Sequence, residues 1–198
     1  MPETWVVVLA GGASRRFGSD KLAADLDGRT LLDATLDAVP AGLPVVVVGP
    51  VRPVRRDVRF VREEPPGGGP AAALVAGLSA ALEAGAEVLS TLPGDAPAAG
   101  TAVPLLVAAL DGTGLVVAHG ADGQVFPLQL ACTAAGARRV LAAAGPDGGV
   151  GASVRRLLEP LGPTRVVVPP GTLLDVDTPA DLGRLADQPG PPQNQRER

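Results

Sequence analysis

The sequence predicts an α/β fold, an open and mostly parallel sheet with helices on both faces. Three features carry that expectation. Short β-branched runs alternate with alanine- and leucine-rich segments, the pattern of strand–helix–strand units joined by right-handed crossovers. One run, Val45–Val48, is four valines in a row, and such strands are buried on both faces, as in parallel sheets. With 198 residues, 46% of them apolar and 19% charged, the chain can bury one sizeable core and is too apolar for disorder.

The elements follow in order. Trp5–Leu9 reads as the first strand, Thr30–Val39 as a helix, Val45–Val48 and Val58–Val61 as strands. Pro70–Ala84 reads as a helix opened by a first-turn proline. Val88–Leu92 is the next strand, and Thr101–Leu110, with Pro104 near its start, the next helix. Leu115–Ala118 and Arg165–Val168 read as strands, Thr133–Ala143 and Ala152–Leu161 as helices between them. Thr178 is a helix cap and Pro179 the first helical position of a last helix reaching about Asp187. Residues 1–187 are thus expected as one domain, and the polar, proline-rich 188–198 as a disordered tail.

Composition narrows the function classes. A net charge of −4 argues against general nucleic-acid binding. A single cysteine, Cys132, excludes an intrachain disulfide, and a single histidine, His119, excludes His-rich zinc sites. Trp5–Leu9 is too short for a signal peptide and lacks a basic lead, and no uninterrupted apolar stretch could span a bilayer. A soluble cytoplasmic protein is expected, its core built from Val, Leu and Ala because aromatics make up only 2%.

Four loops are expected to gather beyond the carboxyl ends of the strands, where open α/β sheets bind ligands. The first, Leu9–Lys21, carries Gly11 and Gly12, which let backbone N–H groups approach a ligand, and three cations suited to a triphosphate: Arg15, Arg16 and Lys21. Lys21 is the chain's only lysine, and its ammonium is a compact point charge that fits a phosphate oxygen. The spacing matches neither a P-loop nor the dinucleotide pattern. In the second, Leu92–Pro97, Asp95 sits between prolines just past a strand, well placed to hold Mg²⁺ together with substrate phosphates, or else to bond its own turn. In the third, Asp175 and Asp177 lie on one side of an extended segment, to complete a metal shell, hold substrate, or favour a helix start. In the fourth, Arg62–Ala73, three glycines and three prolines shape a wall, a lid or a linker. The arginines at 52, 55, 56, 59 and 62 read as a solvated edge or an anion landing site. His119 reads as structural and Cys132 as a buried apolar side chain.

Five segments, LAGGASRRFGSDK (9–21), GGGPAAALVAGL (67–78), LPGDAP (92–97), DGQVFPLQL (122–130) and DVDTPADL (175–182), resemble in order and spacing the molybdenum cofactor guanylyltransferase family of the nucleotidyltransferase superfamily. That resemblance implies a Rossmann-like, open three-layer sandwich of the nucleotide-diphospho-sugar transferase type. It implies GTP and molybdenum-bearing molybdopterin as substrates, and Mg²⁺. It places Leu9, Ala10, Gly11, Gly12, Lys21, Glu64 and Gly69 at the nucleotide, Asp95 on the metal, and Asp175 and Asp177 at the same site. It also implies transient contact with cofactor-delivery or acceptor enzymes and a monomer or weak homo-oligomer. Where the family often has Asp, Glu64 is aligned; its asparagine after the second strand is replaced near Val48 or Pro50. Its final Asn-x-Asn is Asp175-Val-Asp177 here, as in cytidylyl relatives.

The expected chemistry is attack of an acceptor phosphate oxygen on the α-phosphorus of a nucleoside triphosphate, expelling pyrophosphate. Lys21 and backbone N–H groups hold the phosphates, Asp95 and Asp177 the metal, and Arg15 or Arg16 the departing charge. A cytidylyltransferase for the same cofactor, a nucleotidyltransferase for another phosphorylated metabolite, and a non-catalytic nucleotide-binding module are the alternatives.

Overall fold

The computed structural model describes residues 3–12 and 17–186. Arg15, Arg16, Asp187 and the 188–198 segment therefore lie outside the described residues. Seven strands form one sheet: β1 (Thr4–Leu9), β4 (Val45–Val48), β5 (Arg59–Val61), β6 (Val88–Pro93), β7 (Leu115–His119), β8 (Val125–Thr133) and β9 (Thr164–Val167). Their order is β5-β4-β1-β6-β8-β7-β9, and only β8 runs antiparallel to its neighbours. The fold is the expected α/β architecture, with a mostly parallel sheet flanked by helices.

The chain runs outward from β1 through β4 to β5, then returns to place β6 on the other side of β1. The order therefore reverses between β1 and β6, and this is where such sheets open a crevice at their carboxyl edge.

Helices α2 (Pro70–Glu83), α4 (Ala134–Ala144) and α5 (Val154–Leu158) cover one face, over Val7, Val46, Leu89 and Leu130. Helices α1 (Leu31–Ala38) and α3 (Val103–Ala108) cover the other, over Val8, Val47, Leu92 and Val116. Thr30 caps α1 by accepting from Asp33 N–H at 3.0 Å, and Thr133 caps α4 through Gly136 N–H at 3.1 Å. Close packing is bought by glycine at two contacts: a Cβ on Gly77 would stand 2.3 Å from Val7, and one on Gly100 2.5 Å from the Ala38 backbone.

Several elements differ from expectation. β8 is an unanticipated nine-residue strand. A small hairpin, β2 (Asp25–Leu26) with β3 (Arg29–Thr30), turns at Asp27-Gly28, both with positive φ. The helix expected over 101–110 begins as a 3₁₀ turn, Ala99–Ala102, and that over 152–161 ends in one, Glu159–Leu161. No strand precedes Asp175: Pro170–Leu173 is a 3₁₀ turn, and the chain from there to α6 (Pro179–Ala186) is a strap across the carboxyl edge of the sheet.

Candidate active site

The loop after β1 leaves the sheet hydrogen-bonded to β4, Ala10 N–H donating to Val48 O at 2.8 Å. It returns in a 3₁₀ turn, Lys21–Ala23, capped by Asp20, whose carboxylate accepts from Leu22 N–H at 3.2 Å and pairs with Arg52 at 2.7 Å. That turn aims Lys21 into the crevice. Its ammonium lies 2.5 Å from Asp95 Oδ2 and 3.3 Å from Asp177 Oδ1, and donates to Val176 O at 2.9 Å.

Asp95 is placed by tight packing of its own loop. Gly94 N–H donates to Leu9 O at 2.9 Å, and a Cβ on Gly94 would stand 3.0 Å from that oxygen. Gly94 O in turn accepts from the Thr35 hydroxyl at 2.9 Å. The strap is tied to the same loop by Val176 N–H donating to Asp95 O at 2.9 Å, and to β8 by Gln129 Nε2 donating to Thr172 O at 2.8 Å. Val176 itself is fully buried against Leu31 and Ala34 of α1. The cap of α6 is made by Thr178 and Asp181: Asp181 Oδ2 accepts from Thr178 N–H at 2.7 Å, and Thr178 Oγ1 accepts from Asp181 N–H at 3.3 Å. The Asp177 carboxylate points to Lys21 while its neighbours cap the helix.

Beside this cluster lies a cleft of about 350 Å³, lined by Leu9, Gly11, Gly12, Glu63, Gly69 and Asp95 among others, within the usual size of small-ligand sites. Gly69 opens α2 without a side-chain cap, and Pro70 follows it at the first turn. Glu63 is 7% exposed; its Oε1 accepts from Gly67 N–H at 3.0 Å, and its Oε2 is buried without a partner. A Cβ on Gly11 would stand 3.7 Å from Glu63 Oε1, so the first loop and this carboxylate face each other.

The structure thus brings Leu9, Gly11, Gly12, Lys21, Gly69, Asp95 and Asp177 to one edge of the sheet. Ala10 is buried behind the cleft rather than lining it. Glu64 is exposed and outside the cleft; the acid at the wall is its neighbour Glu63. Asp175 is exposed on the strap. A period-two count finds Glu63: Arg59 bonds Ala80 O of α2 and Val61 packs in the α2-side core, so residue 63 shares their face.

Charge follows this geometry. Burial by itself lowers the Lys21 pKa, but the hydrogen bond and charge of Asp95, then those of Asp177, outweigh it and raise the value. Asp175 is raised by partial burial of its carboxyl and by the nearby charges of Asp95 and Asp177, against a lowering pull from Lys21. Three carboxylates around one ammonium make a locally acidic rim that favours cations.

Other candidates fall elsewhere. Arg56 donates to four carbonyl oxygens where α1 ends, those of Leu36, Val39, Pro40 and Leu43, at 2.8–3.0 Å. Arg55 bonds Gly28 O, and Arg59 faces Glu83 at 3.9 Å, so this arginine run holds structure together. His119 Nδ1 lies 2.8 Å from Gly120 O. Cys132 is a buried free thiol whose pKa is pushed up to about 12 by burial. A second hollow of about 210 Å³, between α5 and β9, contains none of the loop residues singled out above.

The donor set suits a hard divalent cation. Asp95 and Asp177 both contact one ammonium, at 2.5 and 3.3 Å, so the two carboxylates face a common point. Mg²⁺ is commonly held by one or two carboxylates with phosphates and water supplying the rest. Among the described residues no group of three His, Cys, Asp or Glu forms a ready-made metal cage. The protein would supply part of the shell and a ligand the remainder.

Known proteins resemble this chain in sequence and fold. The MobA-like NTP transferase domain matches residues 6–166. A probable molybdenum cofactor guanylyltransferase from Opitutus terrae is 38% identical over 138 residues, covering 64% of this chain and 68% of that one. The molybdenum cofactor guanylyltransferase of Acidiphilium cryptum is 36% identical over 148 residues, covering 71% and 74%. The crystal structure of Rv0371c from Mycobacterium tuberculosis H37Rv is 25% identical, with a TM-score of 0.70 over 94% of this chain and 99% of that one. Rv0371c has also been solved in complex with manganese; that structure is 21% identical here, with a TM-score of 0.62 over 93% and 98%. The domain match spans most of the chain and the curated relatives are covered over two thirds of their length, so the chain belongs to the MobA-like NTP transferase family.

Proposed function

We propose that the protein is a molybdenum cofactor guanylyltransferase, moving GMP from GTP onto the terminal phosphate of molybdopterin and releasing pyrophosphate. The observation that carries this reading is the meeting of Lys21 and Asp95, 2.5 Å apart, at the rim of a cleft walled by Leu9, Gly11, Glu63 and Gly69. The cleft takes the nucleoside, and the rim takes its phosphates. An acceptor phosphate monoester is already anionic, so its oxygen attacks the α-phosphorus without a dedicated base. The bond to the β-phosphate oxygen breaks and pyrophosphate leaves with the electron pair.

The residues' tasks are positioning and charge neutralisation. Lys21 engages phosphate oxygens, and the backbone at Gly11 and Gly12, which line the cleft, donates N–H groups to them in this proposal. Asp95 and Asp177 hold the divalent ion, Mg²⁺ in this proposal, which when bound offsets phosphate charge and aligns the reacting groups. Glu63 reads the base: an ionised carboxylate only accepts hydrogen bonds, and guanine presents two adjacent donors, N1–H and the N2 amino group, where cytosine presents one. The unpartnered Oε2 of Glu63 is then satisfied by the base. The free, buried thiol of Cys132 suits a reducing, cytoplasmic setting, and among the described residues no helix is long and apolar enough to cross a membrane.

The test is pyrophosphate release by the purified protein with molybdopterin, Mg²⁺ and each of GTP, CTP, ATP and UTP. GTP is expected to support turnover best, and Glu63→Gln to erode that preference. Preferred use of CTP would point to the cytidylyl reading that the Asp175-Val-Asp177 motif favours. Nucleotide binding without pyrophosphate release would overturn the assignment as an enzyme.

A further inference from the structure

The two carboxylates that fit a divalent ion are paired with a cation of the protein's own. The ammonium of Lys21 lies 2.5 Å from Asp95 and 3.3 Å from Asp177, and Val176 O accepts from it at 2.9 Å. Among the described residues this is a counter-ion seat that includes two carboxylate oxygens and one carbonyl oxygen around a protein-borne charge. Lys21 is only partly exposed, its side chain at 15%, so solvent screens these contacts incompletely. A divalent ion entering the seat would displace the ammonium or sit beside it, and two cations side by side repel. A triphosphate changes that balance, because its oxygens offer the ammonium another set of anionic partners and the metal further ligands.

We propose that the Lys21 ammonium competes with a divalent ion for the Asp95 and Asp177 carboxylates, so that the protein binds the free ion poorly and takes it readily only once a triphosphate draws the ammonium away. The inference rests on the reading above that Asp95 and Asp177 hold the metal, and it adds the order in which triphosphate and ion engage the site. Lys21 is then exchangeable between two sets of anions. Its carboxylate contacts close the rim to the ion, and its phosphate contacts open it. By linkage the triphosphate strengthens metal binding by the same factor that the metal strengthens triphosphate binding.

The experiment is a Mn²⁺ titration followed by electron paramagnetic resonance of the free ion, without acceptor, with and without GTP, the ion bound by the same GTP without protein being subtracted. Wild type, Lys21→Met, Lys21→Gln and Lys21→Arg are compared, each checked for a cooperative thermal transition. The wild type should bind Mn²⁺ weakly alone and about 10-fold or more tightly with GTP, a coupling within the usual range for linked sites. Both neutral variants should bind Mn²⁺ alone more tightly than wild type by a similar factor, with the GTP effect correspondingly reduced. Lys21→Arg keeps the charge and should keep binding of the free ion weak. Neutral variants that fold but bind free Mn²⁺ no better than wild type would overturn the proposal and make Lys21 a strap-holding residue. In that outcome the metal assignment survives as long as Mn²⁺ still binds with GTP. Absence of Mn²⁺ binding in every variant, even with GTP, would remove the metal assignment and this proposal with it.

Discussion

Gly49→Ala should unsettle the nucleotide loop from behind. Gly49 follows β4, its N–H donating to Val61 O at 2.9 Å, and its Cα lies directly against the first loop. A Cβ there would stand 2.6 Å from Ala10 O, 2.9 Å from Ala10 C and 3.3 Å from Gly11 N. All three are backbone atoms, so no side-chain rotation relieves the clash. Ordinary carbon contacts begin near ~3.5 Å, so the Ala10 carbonyl would have to retreat by roughly 0.9 Å. Overpacking of this kind costs about 1–3 kcal/mol, and each kcal/mol lowers the Tm by about 2–4 °C in a domain of this size. A displacement approaching ~1 Å at a positioning element costs up to about 10²-fold in catalysis, so GTP affinity and turnover should fall as well as stability. Gly112→Ala is the control, because nothing lies within 4 Å of a Cβ at that position. Thermal unfolding by circular dichroism and GTP titration by calorimetry read the two effects. A Gly49→Ala protein with wild-type Tm and wild-type GTP affinity would refute the close-approach reasoning.

Three further outcomes are expected. Asp95→Ala should lower pyrophosphate release by about 10²-fold or more, the scale of a lost electrostatic group; near-normal turnover in the folded variant would remove Asp95 from the reaction. Gly100→Ala, whose Cβ would stand 2.5 Å from both Ala38 C and Val39 N, should destabilise by about 1–3 kcal/mol with GTP affinity unchanged, read by denaturant unfolding and calorimetry. Asp111 accepts hydrogen bonds from the Thr113 and Thr164 hydroxyls, each at 2.6 Å, and from Thr113 N–H, which lower its pKa to about 2 from 3.8. A lowered carboxylate stabilises fully above its unfolded value and loses that contribution as pH falls through the folded one, so the Tm gap between wild type and Asp111→Asn should narrow between about pH 4 and pH 2. A gap independent of pH would contradict that assignment.

Most strands were legible because β-branched runs and glycine punctuation agree with burial on both faces. β8 was not, and the reason is local. Its sequence, Val125-Phe-Pro-Leu-Gln-Leu-Ala-Cys-Thr133, puts a proline and a polar amide inside the run, and proline argues against a central strand. The ladder accommodates them irregularly: the register with β7 shifts between Val117 and Ala118, and the Thr91 and Ser90 hydroxyls take up Leu128 O and Leu130 O at 2.7 and 3.0 Å. The β2–β3 turn is simpler, since Asp27-Gly28 is itself a hairpin signal. At the site, residue types located the edge but not each side chain's direction. Glu63 and Glu64 are chemically alike, and only the face of β5 separates them. The strap's position depends on long-range bonds, Val176 N–H to Asp95 O and Gln129 Nε2 to Thr172 O, which no local pattern announces.

The distribution of cations is itself an argument about function. The arginines with described roles spend their guanidinium groups largely on backbone carbonyls: Arg56 on four where α1 ends, and Arg139 on Thr113 O and Leu161 O at 2.8 and 3.0 Å. A planar fork with several donors holds such carbonyls in fixed directions, and no soluble anion competes well for a group so fully engaged. Arg52 and Arg29 each meet one carboxylate, Asp20 and Asp37; Lys21 differs in type and in meeting two. It faces the carboxylates of Asp95 and Asp177, and a compact ammonium can exchange one set of anionic oxygens for another without losing directional bonds. A chain that used lysine freely would not reveal which basic group is meant to move. Here the single lysine sits where a triphosphate would have to compete for it, on a turn that Arg52 steadies through Asp20.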